Sequence, residues 1–255
     1  LITPATAPWA HLVFDLAAWA SGTALAATLY RWRLRSIAET WRGRVGSGYP
    51  WAIAAGAVAG AWIAGSLNSL RAADPALSHS IVGALIGAIV GVELYKARRG
   101  VKGSTGGVFV GGFALGAVIG RLGCFFSGLG DGTYGAPTSL PWAVDLGDGV
   151  GRHPVQLYES AAMAVFLAIY LAALAQRRPW ALRRGFYVMC VWYGATRFAW
   201  EFLKPYPRLI GPFNLFHLLC GGLALYGWLY YRGDVRRERA QERAVPVPRA
   251  DHEPV

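Results

Sequence analysis

Charge is scarce in this sequence. Asp, Glu, Lys and Arg make up 15% of its 255 residues, against 55% hydrophobic residues. A soluble domain carries about 25% charged residues, so this chain has too little polar surface to face water on all sides. Acidic residues are fewer than basic ones, 14 against 25, but the basic residues are spread over short loops and form no single stripe, which argues against nucleic acid as a partner. Cysteine is rare too: Cys124, Cys190 and Cys220 show no paired spacing, and two of them fall within apolar runs. Neither a disulfide framework nor a metal or organic cofactor is indicated by any spacing. Internal duplication is also missing, as are apolar segments interrupted at matching places in two halves, so a transporter architecture is disfavoured.

What is present is a series of apolar runs near residues 10–30, 51–70, 79–95, 106–120, 154–175, 185–202 and 213–231. Each approaches the length that crosses a bilayer core, which predicts an all-α integral membrane protein with seven transmembrane helices. The first run has no small-residue cleavage pattern behind it and reads as a retained span. Basic residues gather in alternate connections: Arg31, Arg33, Arg35, Arg42 and Arg44; then Lys96, Arg98, Arg99 and Lys102; then Arg177, Arg178, Arg183 and Arg184; then the tail from Arg232. The intervening connections hold only scattered ones, such as Arg71, Arg121, Arg152, Lys204 and Arg208. This asymmetry predicts the N-terminus outside, the C-terminus inside, and residues 121–153 as an irregular extracytoplasmic loop. The tail 232–255 is charged and then proline-rich, and reads as a frayed basic segment followed by disorder, its cheapest role being attraction to anionic headgroups.

Glycines recur at helical spacing: Gly56 and Gly60; Gly83, Gly87 and Gly91; Gly112, Gly116 and Gly120. Such stripes allow close helix approach, and the third and fourth helices are expected to pack on one another. Between the fourth and fifth runs lies the longest polar interruption, carrying Arg121, Asp131, Tyr134, Arg152, His153, Gln156, Tyr158 and Glu159. Pro154 suits the first position of the fifth helix, so a phosphate could dock at that helix start beside Arg152 and His153. Tyr193, Arg197 and Glu201 follow at i+4 steps and share one helix stripe; an arginine at that depth needs a partner, either Glu201 or a lipid headgroup. Asp15 reads as an interfacial acid near the outer surface, and Asn214 and His217 as interhelical hydrogen-bonding residues. Cys124 beside a cation could be a reactive thiol, although a small buried cysteine in a structural role is the preferred reading.

The runs G-R-L-G-C-F at Gly120 to Phe125, Y-G at Tyr134 and Gly135, L-P-W-A-V at Leu140 to Val144, R-H-P-V-Q-L-Y-E at Arg152 to Glu159 and Y-G-A-T-R-F-A-W-E-F at Tyr193 to Phe202 together resemble bacterial prolipoprotein diacylglyceryl transferases. The resemblance implies transfer of a diacylglyceryl group from phosphatidylglycerol to the lipobox cysteine of a lipoprotein precursor, with release of glycerol phosphate, at the outer face of the cytoplasmic membrane. It implies that Arg121 and Arg197 hold the lipid phosphate, that His79 or His153 takes the thiol proton, and that Tyr193 lies near the headgroup. Arg152, Gln156, Tyr158, Glu159, Glu201, Gly120, Gly123, Cys124, Asp131 and Gly135 complete the implied substrate-binding set. The chain departs from the family pattern at Cys124 and Ser127, where asparagines are expected, at Leu129, at Ser80 and Ile81 after His79, and around Trp62. Those departures keep open a different acceptor, or a phospholipid-binding protein without catalysis.

Overall fold

The computed structural model describes residues 2–70 and 77–244. Arg71 and the proline-rich end of the tail lie outside the described residues. The described chain is mostly helical: α1 (Ala10–Leu29), α2 (Arg35–Val45), α3 (Tyr49–Ser69), α4 (Ile81–Arg98), α5 (Val110–Ser127), α6 (Val155–Ala175), α7 (Pro179–Glu201) and α8 (Leu215–Ala244). Among the described residues, four helical segments are long and apolar enough to cross a membrane: Ala10–Val45, Tyr49–Ser69, Gly106–Asp131 and Val155–Ala175. Large apolar side chains point outward from them, Trp19 and Trp51 being 77% exposed. An outward face of this kind suits lipid and not water.

Three connections differ from the reading of the sequence. A π-helical turn at Tyr30–Leu34 joins α1 to α2, so most of the stretch 31–50 is helix and ends only at Gly46, whose φ of 69° few other residues tolerate. Leu34, Ala38 and Val45 are buried there, and Tyr95 donates to the Val45 carbonyl, so packing carries the helix past its arginines. At the fourth run, a 3-10 turn at Gly106–Phe109 leads into α5, which continues to Ser127. Arg121, Gly123 and Cys124 therefore lie in a helix and not in the loop. Finally, α8 continues to Ala244 because Glu238 pairs with Arg183 and Arg184 at the start of α7. The hydrogen bond from Arg184 holds the Glu238 carboxyl below the usual carboxylate range.

The rest of the central loop is irregular apart from a short antiparallel pair, β1 (Val144–Asp145) with β2 (Gly151–Arg152). Ile2 adds a parallel bridge to Val144, which lays the N-terminal residues over this loop. Asp145 Oδ1 accepts from the amides of Gly147, Asp148 and Gly149, and those bonds hold its carboxyl below the usual range.

The glycine stripes do bring helices together, but with other partners than expected. The Gly83 and Gly87 face of α4 meets the Gly56 and Gly60 face of α3, and Gly112 of α5 meets Gly22 of α1. Close approach needs small residues on both sides, and these are the pairs that supply them. A Cβ on Gly60 would overlap the Gly83 carbonyl and lie 2.7 Å from the Gly87 Cα. Gly60→Val is therefore expected to cost about 1–3 kcal/mol by overpacking, read as a lowered unfolding midpoint in detergent. Gly222→Ala, on an open part of α8, should leave the midpoint unchanged; equal midpoints for both variants would refute the packing account.

Candidate active site

Five charged side chains meet where α5, α6 and α7 come together. Glu159, on the second turn of α6, is the hub: its Oε2 lies 2.6 Å from Arg121 Nε of α5, and its Oε1 2.7 Å from Lys204 Nζ just after α7. Arg197 Nη1 of α7 lies 3.2 Å from the same carboxylate. Glu201, one turn beyond Arg197, takes Arg197 Nε at 2.7 Å and Lys204 at 3.5 Å. Each of the five residues is less than one-tenth exposed. Burying charge requires partners, and here each cation has at least one carboxylate and each carboxylate at least two cations.

The charges do not balance. Three cations face two carboxylates, which leaves one surplus positive charge. Beside them the Tyr193 hydroxyl and both amide atoms of Gln156, one turn before Glu159 on α6, are buried and have no hydrogen-bond partner among the described residues. A buried site with surplus positive charge and two idle donors, the Tyr193 hydroxyl and Gln156 Nε2, fits an anion that accepts hydrogen bonds, while the idle Gln156 Oε1 needs a donor such as a hydroxyl. Burial and the adjacent Arg197 push the Lys204 ammonium below its usual range, against the opposing pull of Glu159 and Glu201. An arriving anion would favour its charged form.

Asn214 and His217 support this cluster from the start of α8. Asn214 Nδ2 donates to Glu201 Oε2 at 3.2 Å, while its Oδ1 accepts from the His217 amide. The second interaction caps α8, so the helix end and the acidic partner are fixed by one side chain.

A second polar group lies at the end of α5. Arg121 Nη1 is 3.8 Å from Cys124 Sγ, which is 4.0 Å from His11 Nε2 on α1. The same nitrogen lies 2.9 Å from Asp131 Oδ1, and His11 Nδ1 lies 2.8 Å from Asp15. Thr133 Oγ1 donates to the other oxygen of Asp131. Gly123 lets α1 come close, since a Cβ there would lie 2.6 Å from the Phe14 Cβ.

The structure thus gathers Arg121, Arg197, Glu159, Glu201 and Tyr193 into one cluster, buries Gln156 one turn before Glu159 on α6, and places Cys124 and Asp131 beside Arg121 and His11. Other residues singled out in the sequence lie apart. His79 is exposed before α4, with its ring 6.1 Å from Trp62. Arg152 pairs with Asp148 and stacks 5.0 Å over Tyr134. His153 lines an open apolar cleft with Leu140, Trp142, Tyr158, Trp200 and Leu203, and its Nδ1 is buried without a hydrogen-bond partner among the described residues. The Tyr158 hydroxyl accepts from Trp142 Nε1 at 2.7 Å. Gly135 is a packing position, where a Cβ would overlap the His153 carbonyl, whereas a Cβ at Gly120 would meet open space. Lys204 and His11 were not singled out in the sequence. Spacing offered a signal for both, Glu201 with Lys204 at i+3 and His11 with Asp15 at i+4.

The prolipoprotein diacylglyceryl transferase family matches residues 16–232. A phosphatidylglycerol-prolipoprotein diacylglyceryl transferase of Bordetella parapertussis is 34% identical over 154 residues, 59% of this chain and 55% of the relative. Proteins of the same name from Methylocella silvestris and Vibrio vulnificus are 35% and 32% identical over 171 and 167 residues, covering 60% of this chain and of each relative. The aligned stretch spans between half and two-thirds of the length of these curated relatives. No solved structure matches the chain significantly.

Proposed function

Because this chain belongs to the prolipoprotein diacylglyceryl transferase family, we propose that it moves the diacylglyceryl group of phosphatidylglycerol to the cysteine thiol of a lipoprotein precursor and releases glycerol phosphate. The observation that carries this reading is the surplus positive charge of the Arg121, Arg197 and Lys204 cluster beside the idle Tyr193 and Gln156 groups. A phosphodiester monoanion supplies the missing negative charge and the missing acceptors. As the glyceryl carbon–oxygen bond breaks, charge builds on the leaving phosphate, and guanidinium groups held in place by Glu159 and Glu201 stabilise it without rearranging. Positioning falls to the two carboxylates and Asn214.

The proton on the attacking thiol needs an acceptor. His79 is a candidate through its motif and His153 through its place on the wall of the cleft. The cleft's aromatic lining suits an acyl chain or the apolar part of a lipobox peptide. Seven spans with the C-terminus inside follow from the alternating basic connections; a phosphatase reporter fused after Ala244 should stay inactive, and activity would reverse that orientation.

Expression in bacteria depleted of their own diacylglyceryl transferase tests the reading. Lipoproteins should regain the mass of one diacylglyceryl group. Unlipidated precursor in cells that hold the folded protein in their membrane would favour a different acceptor, the reading that Cys124, Ser127 and Leu129 support.

A further inference from the structure

We infer that Gln156 reads a headgroup hydroxyl of the lipid whose phosphate the charged cluster holds, and so sets a preference for a glycerol headgroup. The inference rests on the phosphate seat proposed above. Gln156 is the second residue of α6 and only 1% exposed, yet neither its Nε2 nor its Oε1 has a hydrogen-bond partner among the described residues. A buried primary amide idle at both ends is costly, and such a group calls for an occupant.

The packing of α6 on α5 places that amide. Glu159 touches Arg121, and Ser160 Oγ donates to the Val118 carbonyl at 2.9 Å, so the two helices run in opposite directions along their contact. Gln156 lies one turn before Ser160, on the same helix face and on the loop side, which sets it level with Arg121 and the residues just after it. Helical side chains lean toward the N-terminus, so Gln156 extends beyond Glu159 to the end of α6 where the loop begins. A membrane lipid turns its headgroup toward the surface, where that loop also lies, so the group beyond the phosphate meets Gln156.

The two ends of the amide ask for different partners. Nε2 is a donor and suits a phosphate oxygen, whereas Oε1 is an acceptor that no phosphodiester oxygen can satisfy. A hydroxyl beyond the phosphate supplies the missing donor, and the terminal glycerol of phosphatidylglycerol carries two. An ethanolamine headgroup also offers donors, but it brings a positive charge to a site where three cations already face two carboxylates. A simple alkyl phosphodiester has the negative charge and no donor. Gln156 is thus a specificity residue and takes no part in breaking the carbon–oxygen bond.

Calorimetric titration of the full-length protein in detergent with dihexanoyl phosphatidylglycerol and dihexanoyl phosphatidylmethanol isolates the hydroxyl, because the two lipids share charge, phosphodiester and acyl chains. Wild type should bind the glycerol lipid about 3–10-fold more tightly, the worth of one neutral hydrogen bond. Gln156→Met should abolish this ratio, whereas Gln156→Glu, which keeps an acceptor oxygen, should weaken both lipids and retain it. Tyr193→Phe, which removes a donor to phosphate, should weaken both lipids alike. A merely structural role for Gln156 would also act on both alike and leave the ratio intact. A wild-type ratio near one, or an unchanged ratio in folded Gln156→Met, would overturn the inference. Binding is read without acceptor or turnover, so a hydroxyl preference in protein that lipidates no lipobox peptide would reject the transferase reading and leave the subsite standing. Transfer by a protein without the preference would do the reverse.

Discussion

Glu159→Gln should lower the unfolding free energy by about 3–5 kcal/mol, although it preserves the shape of the side chain. The Glu159 carboxylate touches Arg121, Arg197 and Lys204 at once, and nothing else pairs with Arg121 through its Nε at comparable distance among the described residues. Neutralising it leaves three buried cations with one carboxylate, Glu201. Chemical unfolding in micelles measures the loss directly. A double variant, Glu159→Gln with Arg121→Met, removes the stranded cation and should recover part of the stability while restoring no transfer. A loss below about 1 kcal/mol for the single variant would match an exposed pair and would mean that the cluster is not desolvated.

Arg121→Lys and Arg197→Lys should each lower transfer by about 10²–10³-fold, the effect of losing one well-placed donor to a developing anion. Both keep the positive charge, so Glu159 retains a cation and the fold should survive. What lysine cannot reproduce is the planar fork: Arg197 places Nε on Glu201 and Nη1 on Glu159, and a single ammonium cannot hold both and also meet phosphate. The effect should appear in kcat more than in KM, because the charge to be stabilised develops as the leaving group departs. Transfer within tenfold of wild type in both variants would mean that these groups bind phosphate as point charges only.

Much of this arrangement was legible in the sequence. The apolar runs located the helices, and the i+4 stripe of Tyr193, Arg197 and Glu201 identified one wall of the cluster. Arg121 and Glu159 were visible as charges beside apolar runs, but their 2.6 Å contact joins α5 to α6 across a loop that no local rule reaches. Helix partners were misassigned for a similar reason. A stripe such as Gly83 and Gly87 announces close packing but not against which helix, and the answer lay in the matching Gly56 and Gly60 stripe. The length of α5 was underestimated because Arg121 reads as a loop residue, whereas in the protein it is buried against Glu159 and keeps its helical place. His11 was missed although Asp15 follows it at i+4, because that pairing alone reads as an exposed pair at the start of an apolar run. Its partners Cys124 and Asp131 become neighbours only when α1 packs on α5.

The most direct test of a phosphate seat serving diacylglyceryl transfer is a reconstituted reaction read by mass. Purified protein is incubated with phosphatidylglycerol labelled in its diacylglyceryl part and a peptide carrying a lipobox cysteine. The expected result is a peptide heavier by one diacylglyceryl unit together with an equal amount of glycerol phosphate, both lost with Arg121→Lys. Folded wild-type protein that yields neither product would contradict the account.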